Sequence, residues 1–124
     1  MKNIFQILII LGMGLFLNSC YYDAYPEEEL TPLPEDISYQ NDIIPLWGQC
    51  VGCHNGTEPP DLRDEFSYNE LLNGYVIPND SDASILYKSL LGIDGVSLMP
   101  PGSQWSDSKI ELVKAWIDQG ALDN

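Results

Sequence analysis

The stretch "QCVGCHNG", residues 49 to 56, sets Cys50 and Cys53 two residues apart with His54 directly behind them. Three chemistries use such a pair: a redox dithiol, half of a zinc site, or the sewing of haem to the chain. Each demands different companions elsewhere in the 124 residues.

A redox dithiol of the thioredoxin kind belongs at a helix start within a βαβ pattern, and this sequence has no strand pattern. A tetrahedral zinc site needs two further Cys or His ligands. His54 is the only histidine, and the third cysteine, Cys20, closes the amino-terminal apolar run. A lone disulfide would explain neither the histidine nor the loops around it. C-x-x-C-H is the attachment signature of c-type haem. The thiols of Cys50 and Cys53 add across the two vinyl groups, and the gap sets both sulfurs along one porphyrin edge. His54 is then carried beneath the iron as an axial ligand.

An electron-transfer haem takes a second axial ligand, usually Met or His. Met1 and Met13 go with the amino-terminal signal read below, which leaves Met99, in "VSLMPPGSQW". A lone Met is commonly a gap-filler in a core. Here two prolines follow it, stiffening the loop and removing two amide donors. We read Met99 as the second iron ligand, with the amines of Lys88 and Lys109 as its rivals.

The first twenty residues, "MKNIFQILIILGMGLFLNSC", read as a secretory signal: a short charged start and an apolar run below the roughly 20 residues a bilayer span needs. "LNSC" resembles the lipobox of bacterial lipoproteins, in which the cysteine is lipid-modified and becomes the mature N-terminus. Ordinary secretory cleavage would leave Cys20 as an unexplained odd thiol. The reading is a signal peptide over 1–19, lipidation at Cys20, and an extracytoplasmic protein anchored to a bacterial membrane on its periplasmic or cell-surface face. Residues 20–36 are acidic and proline-containing, with no apolar period. They read as a solvated tether, of which residues 21–36 span at most about 50 Å.

The folded part is expected over 37–124. Ser38 reads as an N-cap before "YQNDIIPLWGQ", whose apolar residues Tyr39, Ile43, Leu46 and Trp47 have helical spacing, with Pro45 weakening or kinking that helix. "FSYNELLNG" suggests a helix ending at Gly74. "SDASILYKSLLG" suggests another, capped by Ser81 or Asp80 and stopped by Gly92. The last is the clearest: Ser106 caps it, Ile110, Val113, Trp116 and Ile117 line one face, and Gly120 closes it. This is an all-α domain of under ninety residues with long loops, a size at which a central cofactor commonly completes the core.

In family order, "DIIPLWGQCVGCH", "SDASILYKSLLG", "LMPPG" and "VKAWIDQGAL" resemble a class I c-type cytochrome. The likeness is to the small cytochrome c domains of planctomycete and Bacteroidota lipoproteins, and it covers roughly Ile37 to Ala121. It implies three to five short helices around one covalent haem c. The first and last helices would cross so that Ile43, Leu46 and Trp47 pack on Val113, Trp116 and Ile117. It implies that the carbonyl of Pro60 accepts the Nδ1–H of His54, with Leu62 facing the haem. Trp105, Tyr75 and Arg63 become candidates for the haem propionates.

The function so implied is that of a one-electron carrier rather than an enzyme. The alternatives are a haem enzyme or gas sensor with an open sixth position, or a structural haem subunit of a larger complex. The chain departs from mitochondrial-type cytochromes in lacking a lysine ring. Its net charge is −14, and loss of Lys2 with the signal makes it one unit more negative. Such a surface repels nucleic acid and anionic head groups, and its electrostatic complement is a redox protein with a basic docking patch.

Overall fold

Ser38 opens the first helical segment, its Oγ accepting from the Asn41 amide at 3.1 Å. The computed structural model describes residues 32–124; the expected signal peptide, Cys20 and most of the expected tether lie outside them. The expected first helix divides into a π-helical turn, Tyr39–Ile43, and a 3₁₀ segment, Ile44–Gln49. The change falls beside Pro45, which has no amide proton to extend an α-helical ladder. These eleven residues form an amino-terminal arm, and Tyr39, Ile43 and Trp47 are its buried side chains.

Three α-helices follow: α1 (Asp64–Leu72), α2 (Ile85–Leu91) and α3 (Asp107–Asp118). Helix α1 stops two residues before Gly74. Tyr75 and Val76 both donate to the Leu71 carbonyl, closing the end, and Gly74 supplies the positive φ of +103° that the reversal requires.

Helix α2 corrects the expected cap. It starts at Ile85 with Ser84 in the N-cap position, and Ser81 and Asp80 lie in the preceding turn. Asp80 uses its carboxylate on the Ala83 amide at 2.9 Å, so the turn takes the side chain that would have capped a longer helix. Ser84 Oγ bonds back to that loop, accepting from Ile77 N and donating to the Asp80 carbonyl. Gly92 ends α2 at φ +66°, where a Cβ would meet Leu98 Cβ at 3.1 Å.

Helix α3 starts after Ser106, whose hydroxyl pairs with Ser108 Oγ and leaves the helix amides uncapped. Its apolar face is the expected one: Ile110, Val113, Trp116 and Ile117 are all buried. The arm meets this face chiefly through Tyr39, whose ring lies 4.9 Å from that of Trp116 and edge-on to Tyr68 at 5.2 Å. Leu46 is only half-buried at the margin of the core.

The Tyr39 hydroxyl accepts from Trp47 Nε1 at 3.3 Å and donates to Ser67 Oγ at 2.7 Å. Burial pushes its ionisation up from the ordinary phenol value. The chain ends close over the crossing: Tyr39 N donates to Asn124 Oδ1, Gln40 N to the Asn124 carbonyl, and Ile37 N to Gln119 Oε1. The described residues are helical with no strand, so the all-α class holds. No described helix is long and apolar enough to cross a membrane.

Two outcomes follow. Tyr39→Phe keeps the ring contacts but strands Trp47 Nε1 and leaves Ser67 Oγ only its 3.4 Å bond to the Asp64 carbonyl, and should cost about 1–3 kcal/mol in urea unfolding. An unchanged midpoint would show that the hydroxyl network contributes nothing net. The second concerns Asp118. Burial raises its carboxyl, but hydrogen bonds from Lys114 (2.6 Å) and Ser81 (3.1 Å) more than offset this and hold it below the usual range. A depressed folded-state value means the stabilisation is present above about pH 4 and is lost as pH falls through the folded value. Asp118→Asn should therefore be less stable than wild type at neutral pH, with the gap closing in acid; a gap independent of pH would refute the linkage.

Candidate functional site

The 3₁₀ segment delivers its last carbonyls to the cysteine pair. Cys50 N donates to the Trp47 carbonyl at 2.7 Å, and the Cys50 carbonyl then accepts from both Cys53 N (3.1 Å) and His54 N (2.8 Å). This tight turn carries Cys50, Cys53 and His54 together on one short loop. Both thiols are free; Cys50 packs half-buried against the core and Cys53 is exposed. Burial, with the neighbouring Cys53 adding to it, pushes the Cys50 thiol up.

The loop after His54 folds back around its ring. Leu62, buried in the core, donates its amide to the His54 carbonyl at 2.8 Å. His54 Nδ1 lies 3.2 Å from two carbonyl oxygens, those of Pro60 and Glu58. Carbonyls only accept, so in the neutral ring the proton belongs on Nδ1 and the lone pair on Nε2. The Glu58 contact had no signal in the sequence, because a main-chain carbonyl is common to every residue type. Nearby, Arg63 forks onto Asp61 (Nε to Oδ1 3.0 Å), lies 4.6 Å from the Phe66 ring centroid, and holds the Asp61 carboxyl below its usual range. That pairing leaves Arg63 committed to its neighbour.

Met99 sits on a separate loop, half-buried, with its amide bonded to the Ser89 carbonyl of α2 at 2.8 Å. Among the described residues no hydrogen bond joins it directly to the Cys50–His54 turn. The two regions are tied through tryptophans: Trp47, three residues before Cys50, stacks on Trp105, six after Met99, at 6.1 Å and 24°. Trp105 is 7% exposed, and its Nε1–H is buried without an acceptor. An orphan of this kind is rare in a folded core. Tyr75 is half-buried.

Among the described residues no three His, Cys, Asp or Glu side chains converge as a metal-ion cluster. A shallow depression of about 210 Å³ lies between Asp36, Ile37, Trp116 and the chain end, and none of the site residues line it. The fold and site thus define a small all-helical domain that presents a C-x-x-C-H turn beside a tryptophan-linked methionine loop. No protein-family model, no curated protein and no solved structure matches the chain.

The two free thiols should differ in reactivity. The thiolate is the nucleophile, so iodoacetamide should modify exposed Cys53 before Cys50 in peptide mass mapping. Equal rates, or Cys50 first, would contradict the burial asymmetry.

Proposed function

We propose that this chain is a lipid-anchored, extracytoplasmic monohaem cytochrome of the class I c type, carrying single electrons between redox partners. The observation that carries the reading is the state of His54. Directly after two cysteines at thioether spacing, its imidazole is held through Nδ1 by carbonyl oxygens, which leaves Nε2 free as a ligand atom and makes it a better donor. The orphaned Trp105 Nε1–H is a second point of fit, because a haem brings carboxylates able to accept from it.

In this reading Cys50 and Cys53 would hold the haem covalently, His54 Nε2 and the Met99 thioether would ligate its iron, and the carbonyls of Pro60 and Glu58 orient His54. Trp47 and Trp105 seal the side between the two loops and exclude water from it. When bound, the haem supplies reversible one-electron exchange at its iron, and a methionine ligand raises its potential. With His54 and Met99 both on the iron, a substrate would have no place on the metal, so the chain would act as a carrier rather than an enzyme. Cys20 holds it to the membrane. Its net charge of −14 directs it to a partner with a basic docking patch.

Met99→Ala tests the ligand set. The protein should carry one covalent haem by mass and absorption, and the ferric form should show the weak near-infrared sulfur-to-iron band. The substitution should abolish that band, lower the midpoint potential, and open the ferrous protein to carbon monoxide. Rapid carbon monoxide binding by wild type would point instead to a sensor or enzyme with an open sixth site. Absence of the band in wild type would remove Met99 from the iron.

A further inference from the structure

The loop that braces His54 begins with Asn55, Gly56 and Thr57, all of them exposed. Among the described residues, their main-chain amides have no hydrogen-bond partner in the protein. The Asn55 side chain is held from both ends instead. The Thr57 hydroxyl donates to Asn55 Oδ1 at 2.8 Å, and Asn55 Nδ2 donates to the Gly52 carbonyl at 3.5 Å. A carbonyl only accepts, so Nδ2 belongs on the Gly52 side and Oδ1 faces Thr57. Glycine is required at 56: its φ is +93°, and a Cβ there would meet side-chain atoms of Asp61 and Arg63 at 3.1 Å.

An asparagine followed by glycine carries its own electrophile and a bare nucleophile. The Gly56 amide nitrogen, once its proton passes to hydroxide, can attack Asn55 Cγ and close a succinimide ring. A C–N bond forms, negative charge gathers on Oδ1, and Nδ2 leaves with a solvent proton as ammonia. Water then opens the ring at either carbonyl, leaving aspartate or isoaspartate at position 55. The Thr57 hydroxyl already sits on the oxygen where that charge develops, as a donor in an oxyanion hole does. Its bond strengthens as the oxygen becomes anionic, so it favours the transition state over the ground state.

A second such pair, Asn73 and Gly74, is followed by tyrosine rather than threonine. Its main chain is clamped on both sides, Asn73 N donating to the Glu70 carbonyl and Tyr75 N to that of Leu71. The Gly74 nitrogen must break out of that closed turn to reach its neighbour's side chain.

We propose that Asn55 is the deamidation site of this chain and that Thr57 promotes the reaction. Either product adds a negative charge, and isoaspartate also adds a methylene to the main chain. The added length falls inside the loop closed by the bond from the Leu62 amide to the His54 carbonyl, and by the Glu58 and Pro60 contacts to Nδ1. The modification therefore loosens the brace on His54, whatever that histidine binds.

The test incubates the purified full chain in warm, mildly alkaline buffer and locates the amide-to-acid mass change by peptide fragmentation. Asn55 should convert before Asn73, to a mixture of aspartate and isoaspartate. Thr57→Val should slow Asn55 about two- to tenfold, the worth of one hydrogen bond, and leave Asn73 unchanged. Thr57→Ser should keep the wild-type rate. Deuterium uptake at the Leu62 amide should be faster in the isoaspartyl form than in the fresh chain. Conversion of Asn73 first or at the same rate, or an Asn55 rate indifferent to Thr57→Val, overturns the assignment. Unchanged uptake at Leu62 overturns the loosening of the brace.

Discussion

The hydroxyl of Tyr39 sits where the arm, α1 and α3 come together, and the rest of the domain is registered on it. It accepts from Trp47 at the far end of the arm and donates to Ser67 of α1, while its ring lies against Trp116 of α3. Buried hydrogen bonds matter most through what their loss strands. A shift of any one segment would disturb these bonds in a core of fifteen buried hydrophobic side chains among the described residues. The π-helical turn at Tyr39–Ile43 belongs to the same constraint, since it brings both Tyr39 and Ile43 fully inside.

From that anchored arm the site follows by main-chain connectivity. Trp47, held by Tyr39, offers its carbonyl to Cys50; Cys50 offers its own to Cys53 and His54; His54 offers its own to Leu62 in the core. The cysteine turn is therefore braced at both ends. The imidazole is oriented by the carbonyls of Glu58 and Pro60, and no side-chain acid is needed to set its tautomer.

Charge is organised with the same economy. Three of the four described cations pair with carboxylates close in sequence, and such exposed pairs contribute little each. Their effect is to leave Lys109 as the unpaired cation among the described residues, over the ring of Trp105, whose N–H also lacks a partner.

The sequence by itself determined the helical class, the apolar face of α3 and its extent, the stop at Gly92, and the chemistry offered by Cys50, Cys53 and His54. These are local matters: helical periodicity, left-handed backbone at glycine, and ligand atoms belonging to residue types. Only the tertiary structure decided the split of the arm, the start of α2 at Ile85, the capture of Arg63 by Asp61, the Glu58 carbonyl at His54, and the stranded N–H of Trp105. Each of these is a competition for hydrogen bonds. Asp80 side-chain bonding takes its helix cap away, and a buried indole lacks an acceptor only because of what does and does not pack around it. The winner of such a competition depends on which groups folding brings within 3 Å or so of one another, and no pattern along the chain encodes that distance.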